Sequence, residues 1–304
     1  MHEKDLTKSL FLIAIISIGW GVAFLSLAIL LKKMAPMQVL ASRWTITALL
    51  FLVLIVAGKV RIRIRGHGRN TAFLFLAGLF EPCAYSICEA YGIKLTSAST
   101  SAIFVASIPS MTLILGILLF HHRADLKLVL SLLITFVGVI IATFFSPTFS
   151  MGGTRTGMLC MTLGVVCASM YSLSSKKASE SFDAASVTAI MAFEGAVLFN
   201  LIALWQGHPL KETFLTPFSD GVLLGHMLFL SVFCAFASYF CYNWLLQYVA
   251  AALATNVVGS LSTIIGVVCG IIFMGDLWGW YTVLGLAVTL GGVWLSTSLM
   301  KEDR

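Results

Sequence analysis

The 304-residue chain is 59% hydrophobic and only 11% charged, with a mean hydropathy of +0.99, a composition that excludes a soluble globular domain and requires an integral membrane protein. Its net charge of +6 does not point to a nucleic-acid partner, because most basic residues fall in short loops between apolar runs, where they orient a chain in a bilayer. The seven cysteines all lie inside apolar runs, with no C-x-x-C pair and no histidine at ligand spacing, so the pattern implies no disulfide framework, no metal site and no cofactor.

Lys4 and Lys8 precede an apolar run that reaches Leu31. A cleavable leader has a core of only ~7 to 15 residues, so this run reads as a first span that stays in place. About 20 apolar residues cross ~30 Å of hydrocarbon, and the chain offers ten such stretches: 9–31, 36–58, 71–92, 97–120, 127–146, 156–174, 184–205, 222–246, 249–274 and 280–299. The expected fold is therefore an all-α membrane protein of ten transmembrane helices, with short connections that make neighbours antiparallel. The longest polar gap, about 206 to 221, leaves no room for a soluble ATPase, and no G-x-x-x-x-G-K-[ST] motif occurs.

Within the third span, Glu81, Pro82, Tyr85 and Glu89 interrupt an otherwise apolar segment. A carboxylate near the bilayer midplane costs at least ~2.5 to 3.5 kcal/mol, so it must face protein or water, and it marks a candidate functional site. At about 100° per residue, Glu81, Tyr85, Cys88 and Gly92 share one helical face, with Glu89 roughly 80° round. Pro82 removes one backbone hydrogen bond and is expected to kink the helix. Counted at ~1.5 Å per residue from the outer helix ends, Arg43 of span two lies about 10 Å deep, between Glu89 at about 5 Å and Glu81 at about 16 Å. Arg43 can thus neutralise one glutamate but not both, which leaves Glu81, nearer the midplane, as the expected working carboxylate for substrate or protons.

The chain repeats itself. A shift of 154 residues lays Tyr85 on Tyr239, Ala98 on Ala252, Gly116 on Gly270, Thr135 on Thr289 and Gly138-Val139 on Gly292-Val293 without a gap, and superposes spans three to five on spans eight to ten. The expected units are residues 1–148 and 149–304. A unit of five spans is odd in number, so the second copy enters from the opposite side, an inverted repeat with its site near the midplane between the halves. The same shift sets Cys88 on Tyr242, Glu89 on Asn243 and His122 on Asp276.

Trp20-Gly21 in span one, Pro36 to Arg43-Trp44 in span two and Thr96-Ser97-Ala98-Ser99 leading to Pro109 resemble the EamA-type transporters of the drug/metabolite transporter superfamily. So do the loop Gly275-Asp276 and the closing Gly291-Gly292-Val293-Trp294-Leu295. His121-His122 stands where the resemblance leads one to expect an acid after span four, whereas the second half keeps Asp276. The resemblance implies two inverted five-helix bundles around a central cavity, with helices five and ten peripheral. It also implies export or uptake of small metabolites, such as amino acids or related compounds, across the cytoplasmic membrane.

Further candidates for substrate binding or proton coupling are Glu194 midway along span seven, the second-half set Tyr239, Tyr242 and Asn243, and Trp20, Tyr171 and Asn256. Each is weighed against ordinary packing or interhelical hydrogen bonding. A small-molecule substrate, membrane lipid and protons are the implied partners. A membrane-embedded ligand sensor and an intramembrane enzyme are the alternatives, the latter disfavoured by the absence of H-E-x-x-H and G-x-S-x-G.

With the N-terminus on one side, thirteen of the nineteen Lys and Arg residues fall on that side and five (Lys32, Lys33, Lys94, Arg155 and Lys211) on the other, Arg43 lying within a span. The bias puts both termini in the cytoplasm. In a background with native cysteines replaced, an impermeant thiol reagent is expected to reach a cysteine at Gly66 only from the cytoplasmic side and one at Gly207 only from outside. The reverse pattern would overturn the orientation.

Overall fold

A computed structural model describes residues 3–62, 68–120, 126–145, 152–249 and 251–302, and these contain helices and turns but no strand. The first half comprises α1 (Glu3–Leu30), α2 (Pro36–Val56), α3 (Arg69–Gly78), α4 (Tyr85–Leu95), α5 (Ala98–Val105), α6 (Ile108–Phe120) and α7 (Leu126–Phe144). The second comprises α8 (Gly152–Ala178), α9 (Ala184–Trp205), the short α10 (Leu210–Leu215), α11 (Gly221–Leu228), α12 (Tyr239–Tyr248), α13 (Ala251–Met274) and α14 (Trp280–Glu302). α3 and α4 are one span joined by the kinked segment Leu79–Ala84, and α11 and α12 are one span joined by the wide π-helical segment Phe229–Ser238. α5 and α6 also form one span, so ten helical passes result. Eight are long and apolar enough to cross a bilayer, and Val129–Ala142 and Trp280–Leu295, in passes five and ten, are shorter apolar helices.

Helix ends are set locally. Pro36 occupies the first turn of α2, where its missing N–H costs nothing. Ser97, Asp183 and Asp220 cap α5, α9 and α11 by accepting from Thr100 N, Ser186 N and Val222 N at 3.1, 2.7 and 2.8 Å. Hydroxyls inside the spans fold back on the carbonyl four residues earlier, as Thr47, Thr188 and Ser231 do, so these donors are satisfied within their own helix.

The packing is that of an inverted repeat. The first pass lies against the eighth and ninth, and the sixth against the third and fourth; passes two and seven, four and nine, and five and ten pair across the halves. Every one of these pairings is preserved when each pass is exchanged for the one five places on. The symmetry reaches individual atoms where α7 meets α14. Gly138 abuts Thr289 and the Gly285 carbonyl, while Gly292 abuts Thr135 and the Ser131 carbonyl, the same contacts displaced by 154 residues. Absence of Cβ lets the two backbones touch, which is how helices associate without a hydrophobic driving force between them.

The two break points are also repeat-related, since Leu79–Ala84 ends just before Tyr85 and Phe229–Ser238 just before Tyr239. In the first half the cause is visible: Pro82 donates no hydrogen bond, and Glu81 takes extended angles (φ −141°, ψ 115°) on the far side of a cis Glu81–Pro82 bond. The Pro82 ring sits against Gly195 of α9, beside Trp44 of α2.

A Cβ added at Gly292 meets Thr135 and Ser131 backbone, whereas nothing lies within 4 Å of one added at Gly291. Gly292→Ala is therefore expected to destabilise the folded protein by about 1–3 kcal/mol through overpacking, and Gly291→Ala to be close to neutral. Thermal unfolding of the two purified variants side by side checks this.

Candidate functional site

A central cavity is lined from passes one, two, three, four, six, eight and nine. Among the described residues, passes five, seven and ten contribute nothing to the lining, which agrees with the peripheral place expected for five and ten.

The cavity's charges come from the first half alone. Arg43 and Glu81 are each 1% exposed and Glu89 is 6% exposed. Arg43 Nη1 lies 3.8 Å from Glu89 Oε2, an ion pair slightly too long for a hydrogen bond. Arg43 Nη2 donates to Cys234 Sγ at 3.3 Å, and the guanidinium carbon stands 5.3 Å from the Trp44 ring centre. Glu89 Oε1 accepts from Tyr85 OH at 2.9 Å. Glu81 Oε1 accepts from Tyr239 OH at 2.6 Å and from Ser86 Oγ at 3.3 Å. Glu81 Oε2 and Arg43 Nε and Nη1 are buried without a hydrogen-bond partner among the described residues. Arg43 thus neutralises Glu89, and Glu81 is the glutamate left over.

Aromatic rings form the opposing wall. The Trp20 ring centre is 5.2 Å from that of Tyr239 and 4.8 Å from that of Tyr242, and Tyr171 lies 6.0 and 5.9 Å from the same two rings. Ser172 Oγ shares a 3.0 Å hydrogen bond with Tyr242 OH.

Most of the sequence-predicted residues converge here, since Trp20, Arg43, Glu81, Tyr85, Glu89, Tyr171, Tyr239 and Tyr242 all line the cavity. Asn243 stands behind it as an anchor: its Oδ1 accepts from Tyr171 OH at 2.8 Å and Ser175 Oγ at 2.7 Å, and its Nδ2 donates to Thr188 Oγ1 at 2.9 Å. Two candidates lie elsewhere. Glu194 is half-buried on α9 beside Gly78, with Oε2 unpartnered, and Asn256 donates to the Val293 carbonyl of α14 at 3.1 Å, so neither reaches the lining.

One expected face is corrected. Cys88 and Gly92 do not share the cavity side with Glu81; Cys88 turns to Gly164 and Gly92 to Met161, both on α8. Within α4, Tyr85 and Glu89, four residues apart, point together into the cavity, while Cys88 and Gly92 lie on the side that meets α8. His121 and His122 lie outside the described residues. Sequence reasoning missed Cys234, Ser86 and Trp44, whose types are ordinary in spans and whose roles arise only from contact with Arg43 and Glu81.

A model of the EamA-like transporter family matches residues 7–144 and again 155–298. Two curated relatives are named as uncharacterized transporters. One, YcxC of Bacillus subtilis (strain 168), is 24% identical over 287 residues, covering 93% of this chain and 91% of its own. The other, from Archaeoglobus fulgidus, is 22% identical over 288 residues, covering 95% and 98%. A solved crystal structure shares the fold with a TM-score of 0.68 at 15% identity, over 98% of this chain and 99% of the other.

Removing one member of a buried ion pair strands the other, at a cost of about 3–5 kcal/mol. Arg43→Met and Glu89→Gln are each expected to lower the melting temperature strongly, and the double variant to recover most of the loss. Glu81→Gln is expected to change it little, and no recovery is expected when it is combined with Arg43→Met. Melting of the six proteins (wild type, three single variants and two doubles) tests this division of labour.

Proposed function

Because this chain belongs to the EamA-like transporter family, we propose that it is a secondary transporter that moves a small organic metabolite, an amino acid or related compound, through the central cavity without ATP. It acts as an exporter or facilitator of the cytoplasmic membrane, with both termini inside and the repeats divided between residues 148 and 149.

The observation that carries the substrate reading is the pair of unspent polar groups in the cavity. Glu81 Oε2 has no donor, and Arg43 Nε and Nη1 have no hydrogen-bond acceptor. Each buried group left so costs about 1–3 kcal/mol or more when charged, and a ligand that supplies an ammonium to the first and a carboxylate to the second recovers that cost. The rings of Trp20, Tyr171, Tyr239 and Tyr242 offer faces to an apolar side chain and to a cation. A concave, mostly apolar site with a few convergent polar groups is the usual form of a small-molecule site. Glu81 is the group proposed to take either the substrate's ammonium or a proton, which makes it the candidate coupling residue.

Purified protein in liposomes is expected to exchange radiolabelled amino acids across the bilayer without ATP, driven by their own gradient or a proton gradient. Glu81→Gln is expected to insert and melt nearly as wild type while slowing exchange at least about tenfold, the loss of one charge-assisted contact. A compound that stabilises the protein yet never crosses would replace transport by ligand sensing.

A further inference from the structure

The two ends of the crossing between passes four and nine are built differently, although the inverted repeat relates them. At the end opposite the N-terminus, Asp276 Oδ2 accepts from both Ser99 N and Ser99 Oγ, each at 2.8 Å. Gly275, with φ +69°, turns the chain so that Asp276 folds back over α13, and Asp276 N donates to the Gly270 carbonyl at 3.2 Å. A Cβ at Gly270 would lie 2.6 Å from Asp276 Oδ2 and 2.8 Å from Ser99 N, so glycine is what allows the two passes to close here. One turn deeper, Thr263 Oγ1 donates to the Ala102 carbonyl at 3.2 Å.

Moving each partner by 154 residues gives the symmetry-related end. There Asp276 is replaced by His122, Ser99 by Leu253 and Thr263 by Pro109. The acid, the hydroxyl of the cap and the bridging hydroxyl are all gone, and proline offers no donor at all. Packing agrees with the chemistry. Among the described residues, Gly116, the mate of Gly270, has only Leu173 near its Cβ position, at 3.9 Å. Gly259 meets only the Pro109 ring, at 3.7 Å.

We infer that Asp276 and Ser99 form a latch that holds the transporter shut on its outer side, a latch whose members have no chemical counterparts at the positions the repeat relates to them on the inner side, so the cavity rests closed to the outside. This rests on the transport reading and orientation proposed above. An inverted repeat with matched ends would favour neither side; here the hydrogen bonds of one end bias the equilibrium between the two. Asp276 and Ser99 are positioning residues, acting on the exposure of the cavity and not on the substrate.

The test places a reporter cysteine at Ser262, a cavity-lining position, in a background lacking native cysteines, and measures the rate of modification by an impermeant thiol reagent from each side. Asp276→Ala is expected to raise the outside rate roughly tenfold, the factor that one charge-assisted hydrogen bond carries, and to lower the inside rate. Lys32 and Lys94 border the same depression as Asp276, so Gly270→Ala, which leaves every charge in place, serves as a second route to the same opening. Gly116→Ala is expected to leave both rates unchanged. Adding His122→Asp with Leu253→Ser to Asp276→Ala builds the mirror latch and is expected to suppress the inside rate further. Unchanged outside labelling in both Asp276→Ala and Gly270→Ala, or an equal rise from both sides, overturns the latch. The readout needs no substrate, so a latch variant that shifts labelling in a protein that moves no metabolite counts against transport alone. A shift that appears on the inside instead counts against the orientation alone.

Discussion

A guanidinium buried to 1% exposure inside a lipid-embedded bundle needs polar partners to offset its desolvation, and the position of Arg43 imposes conditions on three passes at once. Pass two must bring it inward, pass three must offer Glu89, and pass eight must present Cys234. Glu89 and Tyr85 stand four residues apart in α4 and so share a face, just past the point where pass three is broken at Glu81 and Pro82. The break also carries the other carboxylate, Glu81, toward Tyr239 of the second half. The halves are therefore tied across the cavity by polar bonds whose partners come from both, and the second half contributes three of the four rings of the aromatic wall, Tyr171, Tyr239 and Tyr242.

The remaining contacts explain why such a site is stable. Helices in hydrocarbon gain little from burying apolar surface against one another, so they associate through close backbone approach and satisfied hydroxyls. Gly138 and Gly292 make the first kind of contact between passes five and ten, and Asn243 makes the second among passes six, seven and eight. Asn243 fixes Tyr171, and Tyr171 packs on Tyr239 and Tyr242, so a residue that never lines the cavity still shapes its wall.

How much of this was legible in the sequence differs from level to level. Ten passes and their inverted order were readable, because apolar length and an odd-numbered repeat are properties of the chain itself. The break in pass three was readable from Pro82, but its partner at Phe229–Ser238 contains no proline, and nothing in that apolar run announces it. Charged and aromatic residues were readable as candidates, since intramembrane glutamate and arginine are costly and need a reason. Their pairing was less so. Depth along ideal helices put Arg43 between two glutamates, and only the packing of pass three against its neighbours shows that Glu89 is the partner and that Cys88 faces α8. Glu194 and Asn256 were indistinguishable by type from Tyr171 or Glu89, because facing direction depends on neighbours far away in sequence.

Fusion of the two halves in one chain lets them differ. Positions 43, 81 and 89 hold Arg, Glu and Glu, while their mates at 197, 235 and 243 hold Val, Ala and Asn. A symmetric dimer of the first half alone would crowd two arginines and four glutamates around one axis, and a dimer of the second half alone would have none of these ions. Neither half could today be replaced by a duplicate of the other. In one chain the ions come from one copy and most of the rings from the other, so a single cavity has distinct poles that no self-paired half could possess.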